Sequence, residues 1–580
     1  MTPIKKLTAL AFILAMPFVG FSQSDSPLPN YTTEEESLLV SEMTFASAIP
    51  TPPPSSAVRT MAEWEEIEYL VITWEPAFPN ILRQIVAAAV EEAKVIIVTQ
   101  NEASVASYLS SNGVDLTNVV FLDQPWNSIW IRDYAGNTVY TDDVGERALV
   151  DWIYNRPRPL DDVIPSAHAT YTGSPIYITD SGTNDLVNTG GNFMSDGLGN
   201  GFASKLILEE NEPGNPYGVS PKTEAQIDDI MLDYMGISNY IKMDMLDYDL
   251  IHHIDMHMKL LDEETLLVSK YPPGVADGPQ IEANIDYVLS NFNSPFGTPY
   301  KVEWIDAPPS VGGNYPDTGG YYRTYSNSVF INGTVIVPTY RPAVDGPALA
   351  KYEELLPGYN VVGIDVDNSG ENLIALFGAI HCITHSIGVA EPLWIVHQPV
   401  AEATEGLNVV FDAMIKHNSG INQAKVFWRE TGAGAYNEID MTPAGGDDWT
   451  ANLTIPSDID IEYYIWAEAN SGKQLTRPIV APEGYWTIDV ATLSAAEWAD
   501  NNIIGPYPNP ADDRVNFRLN NIGGPVSVEI HNIYGQRLYT SAVQSSNGVI
   551  QLDLNPIWSG TLIVTFKGEF GSVQRKLIKQ

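Results

Sequence analysis

The chain has 580 residues, with 73 acidic against 30 basic side chains and a formal net charge of −43. That balance argues against nucleic acid as a partner, because phosphate binding depends on Lys and Arg to neutralise the backbone. With 44% hydrophobic and 10% aromatic residues the chain can bury several cores, and about three folded units are expected.

Residues 1–23, "MTPIKKLTALAFILAMPFVGFSQ", carry two lysines, an apolar run and then small residues, the pattern of a secretory signal peptide. No later segment approaches the roughly 18 continuous apolar residues of a membrane-spanning helix, so no membrane span is expected. Residues 24–60 are acidic and then proline-rich, and read as a linker or N-terminal pro-segment without a packed core. From residue 61 the texture changes. "EYLVITW" (68–74), "KVIIVTQ" (94–100) and "NVVFLDQ" (118–124) read as buried strands, with an amphipathic helix over 80–93 and another before the third strand. Such alternation means an α/β domain.

"VNTGGNFMSD" (187–196) and "SVGGNYPDTGG" (310–320) share a Gly-Gly-Asn turn, an echo that suggests related β/α modules whose loops converge. Asn332-Gly333, between alternating apolar residues, predicts a hairpin. After Gly388 the helical period fades. Short alternating segments through residue 490 fit a β-sandwich of immunoglobulin type, and a further all-strand unit runs from 503 to the final "KLIKQ".

Chemistry centres on "GAIHCITHS" (378–386), which holds the chain's one cysteine, Cys382, between His381 and His385. A lone cysteine in an exported chain suggests intermolecular pairing or a reactive thiol, with an inert cysteine filling a core gap as the plainer reading. "LIHHIDMHMKLLDEETLLV" (250–268) contains three of the nine histidines and reads as a strand with His253, Asp255 and His257 on one face, opposite His252. A His-x-Asp pair offers an acid/base beside a carboxylate; a polar strand face and a zinc site are the other readings. "QPWNSIWIRDYAGNTVY" (124–140) adds Trp130 and Asp133, in an active site or at an interface.

Taken in order, "WIRD", "HIDMHMK", "YSNSVFINGTVIVP" and "GAIHCIT" resemble the guanidine-modifying enzymes, and within them the Porphyromonas-type peptidylarginine deiminases, relatives of agmatine deiminase. The resemblance implies a five-bladed α/β propeller (pentein) catalytic domain over residues 61–390, followed by an immunoglobulin-like β-sandwich (391–490). The last unit (491–580), with "PYPNPADDRV" and "KLIKQ", resembles the small all-β C-terminal sorting domain of type IX secretion cargo in Bacteroidota. It implies the type IX machinery as a partner and a secreted or outer-surface location.

The resemblance also implies roles. Asp133 and Asp255 hold a substrate guanidinium, Cys382 attacks it, His253 shuttles protons, Asn327 orients thiolate or substrate, and Trp130 packs on the substrate. No metal or other cofactor is expected. Arg156 and Arg158 in "DWIYNRPRPLDD" (151–162) match the segment that holds a peptide's C-terminal carboxylate; by themselves, loop arginines are more often solvated or paired, here with Asp161 and Asp162. Asp196 touches substrate or serves an ordinary turn. The expected activity is conversion of arginine, preferably C-terminal, in peptides or proteins to citrulline and ammonia. Agmatine deiminase, amidinotransferase and an inactive surface adhesin are the alternatives.

Overall fold

The architecture comes from a computed structural model that describes residues 26–43, 51–179, 182–491, 502–520, 522, 525–543, 548–568 and 571–580; the signal-peptide reading of 1–23 lies outside them. The first apolar runs form the parallel strands Ile67–Thr73, Lys94–Val98 and Val119–Leu122. Parallel neighbours need a crossover, and the helices Pro79–Ala89 and Glu102–Ser111 supply two. The first of these turns Ile81, Leu82, Ile85, Val86 and Ala89 onto the sheet, the stripe expected of a helix with one buried face.

One plan then recurs. A strand pairs antiparallel with the next, which pairs in parallel, after a helix, with a third. The triplets are Asn137–Thr141, Arg147–Tyr154 and Ile176–Thr179; Met194–Ser195, Asn200–Ser204 and Asn239–Met243; Met258–Leu260, Thr265–Lys270 and Lys301–Asp306; and Val329–Ile331, Thr334–Thr339 and Asn360–Asp365. His385–Gly388 completes a fifth by pairing antiparallel with Ile67–Thr73, which stitches the end of the α/β unit to its beginning. Asn332, at φ +47°, turns the expected hairpin, and its side chain also binds the backbone of Ile67 and Glu92.

Two further all-strand units follow. In the first, the sheet of Trp394–Val396, Asn408–Lys416, Asp448–Thr454 and Thr442–Gly445 faces one built on Ile421–Glu430, Ile461–Ala469 and Trp486–Ala491, around Phe411, Val426, Tyr463 and Ile465. The sandwich docks on the α/β unit through Arg477 to Glu263 at 2.9 Å and Lys473 to Glu66 at 2.6 Å. The last unit packs two small sheets around Phe517, Val528 and Phe566.

Three expectations change. Residues 24–60 are not merely a linker: 58–60 form a strand paired to Asn137–Thr141, and 26–43, with the helix Glu34–Leu39, pack on the α/β unit. Segment 250–268 is not one strand. His252 sits at φ +55°, a 3₁₀ turn spans Ile254–Met256, and the strand begins only at Met258. The Gly-Gly-Asn echo is no structural repeat either. Gly190–Asn192 is a buried 3₁₀ turn, whereas Gly312 and Gly313 lie in an exposed turn.

Candidate active site

Each of the five triplets is preceded by a tight turn, and the five turns converge. The short helix Ile131–Tyr134 brings Asp133, Gly190–Asn192 brings a backbone, Ile254–Met256 with its leading residue brings Asp255 and His253, the residue run before Val329 brings Asn327, and His381–Ile383 brings Cys382. Residues up to 249 positions apart therefore share one buried centre, since Arg132 Nε reaches the His381 carbonyl at 3.3 Å.

Asn327 Nδ2 donates to the Cys382 Sγ at 3.3 Å and to the Asp255 carbonyl at 3.1 Å, while its Oδ1 accepts from the His381 N–H at 3.0 Å. The thiol lies 3.6 Å from Asp255 Oδ2, which also meets His381 Nδ1 at 2.7 Å. Across the centre, His253 Nδ1 is 3.4 Å from Asp133 Oδ1, and that oxygen accepts from the Gly191 N–H at 3.2 Å. Only glycine fits at 191: a Cβ there would fall 2.5 Å from His253 Nδ1 and 2.7 Å from Asp133 Oδ1. Gly378 has the same reason, since a Cβ would strike the Trp130 ring.

Two carboxylate oxygens in this centre, Asp133 Oδ2 and Asp255 Oδ1, are buried without a hydrogen-bond partner among the described residues, as are both ring nitrogens of His253. Burial, and then the Asp255 charge, pushes the Asp133 carboxyl up to about 7. Burial presses on Asp255 in the same direction, but the hydrogen bond and charge of His381 prevail and hold it below its ordinary value. Burial lowers His253 to about 3, so its imidazole is neutral. Burial raises the Cys382 thiol well above its ordinary value, and the Asp255 and Asp133 charges raise it further. The centre is thus a buried anionic cradle around a protonated thiol. A cation placed between the carboxylates relieves both charges and lowers the thiol pKa.

Sequence reading missed the support beneath Asp255. His381 Nε2 contacts Glu63, whose carboxylate also lies 2.5 Å from Lys259 Nζ and 3.3 Å from Arg132 Nη1. Burial opposes ionisation of Glu63, but His381, Lys259 and Arg132 keep it well below the usual carboxylate range. In "MAEWEE" nothing distinguishes Glu63 from its acidic neighbours; only its tertiary partners do.

Other expected residues resolve differently. Asp196 is a turn aspartate, accepting from the backbone of Leu198 and Asn200 and from the Asn200 side chain. Arg156 and Arg158 are buried, not solvated, and Asp161 instead accepts from Asn127 and Ser128. Arg158 makes a two-pronged contact with Glu36, at 2.7 and 3.2 Å, and donates to the Pro29 carbonyl at 2.7 Å. Arg156 Nε donates to the Asn30 carbonyl at 3.0 Å, and Trp130 Nε1 donates to that of Leu28 at 2.9 Å. All three expected substrate-binding side chains therefore hold the N-terminal segment.

The chain is similar to several known proteins. A relative from Shewanella baltica named "Putative agmatine deiminase" is 26% identical over 304 residues, 47% of this chain and 76% of that one. One of the same name from Yersinia pseudotuberculosis is 23% identical over 373 residues, 59% of this chain and 99% of that one. The X-ray structure of a "putative agmatine deiminase" shares the fold, with a TM-score of 0.51 at 21% identity, over 60% of this chain and all of the other. Residues 506–580 match the secretion system C-terminal sorting domain, the type IX export signal, which marks the chain for secretion or the cell surface. Residues 59–387, which contain every residue of the buried centre, match the Porphyromonas-type peptidyl-arginine deiminase model, and the chain belongs to that family.

Proposed function

We propose that the chain is an exported peptidylarginine deiminase, acting preferably on C-terminal arginine and releasing citrulline and ammonia through a cysteine-bound intermediate. The observation that carries this reading is the pair of buried, unpartnered carboxylate oxygens of Asp133 and Asp255 beside Cys382 and His253. A guanidinium is planar and offers N–H pairs on separate edges, which suits two carboxylates with free oxygens beside one thiol. Its charge also favours the thiolate, which burial and the two carboxylates by themselves oppose.

The chemistry follows from these positions. Cys382 loses its proton and its sulfur bonds to the guanidinium carbon, giving a neutral tetrahedral adduct. Neutral His253 carries the thiol proton to one nitrogen; the C–N bond breaks, ammonia leaves and a thiouronium cation remains. Water then attacks the same carbon while His253 takes its proton. Breaking the C–S bond leaves a ureido group and restores the thiol. Asn327 holds the sulfur in line, and the Glu63–His381 pair keeps Asp255 ionised and oriented.

The five repeated triplets support the reading of the α/β unit as a five-bladed propeller, with the sandwich read as immunoglobulin-like. Arg156 and Arg158, which here bind carbonyls and a carboxylate, favour a peptide over agmatine, whose second ammonium they would repel. The test is citrulline release from a peptide ending in arginine, beside its amidated form, agmatine and Cys382→Ala. Peptide activity that falls on amidation and vanishes in the variant supports the reading. Equal rates on both peptides overturn the C-terminal preference, activity mainly on agmatine overturns the substrate, and silence throughout, with residues 26–43 removed as well as in place, favours an adhesin.

A further inference from the structure

We propose that residues 26–43 are an intramolecular strap that occupies the substrate's entrance, so that the folded chain is held closed until the strap is displaced. The inference rests on the deiminase reading for the place where substrate enters and for its activity readout.

The strap binds as a peptide would. The Leu28, Pro29 and Asn30 carbonyls are taken by Trp130, Arg158 and Arg156, and the Asn30 N–H donates to the Leu376 carbonyl at 2.8 Å, in the loop leading to Cys382. Asn30 is fully buried, and its side-chain amide finds no partner among the described residues. Tyr31 stands edge-on to Phe377 at 5.2 Å, and Phe377 itself sits at φ +63°, a conformation that a bulky residue rarely adopts.

Glu36 secures the strap twice. Its carboxylate accepts the Thr33 N–H at 2.9 Å in a capping box that starts the helix Glu34–Leu39, and the same group meets the Arg158 guanidinium. A side-chain carboxylate thus stands where a peptide's terminal carboxylate is expected. Beneath the strap, Cys382, His253, Asn327 and Trp130 are each 0% exposed, so no substrate reaches the thiol in this arrangement. Release by cutting has to occur upstream of Arg59. That side chain is buried in the strand Val58–Thr60, paired with Glu65 and stacked 3.9 Å from the Trp394 ring, so the 59–60 bond belongs to the folded body.

A short tether raises the strap's local concentration to the order of 1 mM. A free 26–43 peptide with a Kd of about 100 µM would therefore correspond to roughly tenfold occlusion in the intact chain.

The experiment uses the full chain with a specific-protease site placed within residues 44–50, and reads two quantities before and after cutting and removal of the strap. One is kcat/KM on the arginine-terminated peptide. The other is the alkylation rate of Cys382, the chain's single thiol. Both are expected to rise at least tenfold. The synthetic 26–43 peptide should reverse the rise competitively, and its Glu36→Ala form should be at least tenfold weaker. Intact Glu36→Ala chain, which keeps the rest of the strap, should show a partial rise in both. Faster alkylation without any citrulline leaves the strap standing and removes the deiminase reading. Unchanged alkylation after the strap has left, whatever the activity, overturns the strap.

Discussion

Asp133→Asn should stabilise the protein while abolishing its activity, by an amount that grows with pH. The Asp133 carboxyl, ordinarily near 3.8, is pushed to about 7, chiefly by burial. Below pH 3.8 both folded and unfolded chains carry the proton and nothing is lost. Between the two values the unfolded chain ionises and the folded chain does not, so the folded state binds more protons and stability falls as pH rises. The cost reaches about 2 kcal/mol at pH 5 and about 4 kcal/mol at pH 8, from 1.36 kcal/mol per unit of separation. Asparagine cannot ionise and keeps an oxygen for the Gly191 N–H, so the variant escapes this cost. Denaturant unfolding followed by tryptophan fluorescence at pH 5 to 8 measures the difference between wild type and variant. It should widen by about 2.5 kcal/mol across that range, with citrulline release absent throughout. A difference that stays constant with pH would show that Asp133 is not held protonated by its surroundings and would refute the cradle argument.

Asn327→Ala removes the donor to Cys382 Sγ, so kcat should drop about 100-fold and the acid limb of kcat/KM should move to higher pH, as a pH–rate profile reports. Glu63→Gln leaves Lys259 and Arg132 short of a counter-charge; with 26% of the Glu63 side chain exposed, about 2–3 kcal/mol of stability should be lost in denaturant melts, and kcat should fall more than KM changes. Gly191→Ala should reduce activity by more than 100-fold while circular dichroism stays native, because its methyl displaces the Asp133–His253 pair and little else.

Much of the chain was legible from pattern. Period-2 and period-3.6 apolar spacing located the strands near 68–74, 94–100 and 118–124, the helix within 80–93 and the hairpin at Asn332-Gly333, because burial of one face is a local requirement written into adjacent residues. The ordered motifs around Asp133, His253, Asp255, Asn327 and Cys382 pointed to one chemistry, and a short turn before each triplet's first strand is what makes those motifs local and recognisable. Where backbone geometry overrode the pattern, the reading slipped. His252 to Met256 alternates like a strand, yet turns at φ +55° and in a 3₁₀ step to aim Asp255 and His253 inward.

Neighbouring residues alone carried the first apolar strands with their helix, the all-strand texture after Gly388 and the residue types able to react. Their partners came from the closed fold: Glu63 supports Asp255 through His381, Asp196 merely closes a turn, and Arg158 faces Glu36 across 122 positions. Hydrophobic periodicity is a property of neighbours along the chain, whereas ion pairing in a buried centre depends on which turns the closing of the fold brings together. A proline-rich, acidic segment carries no pattern that announces a bound state, because what holds it is the guanidinium and indole of the surface it covers.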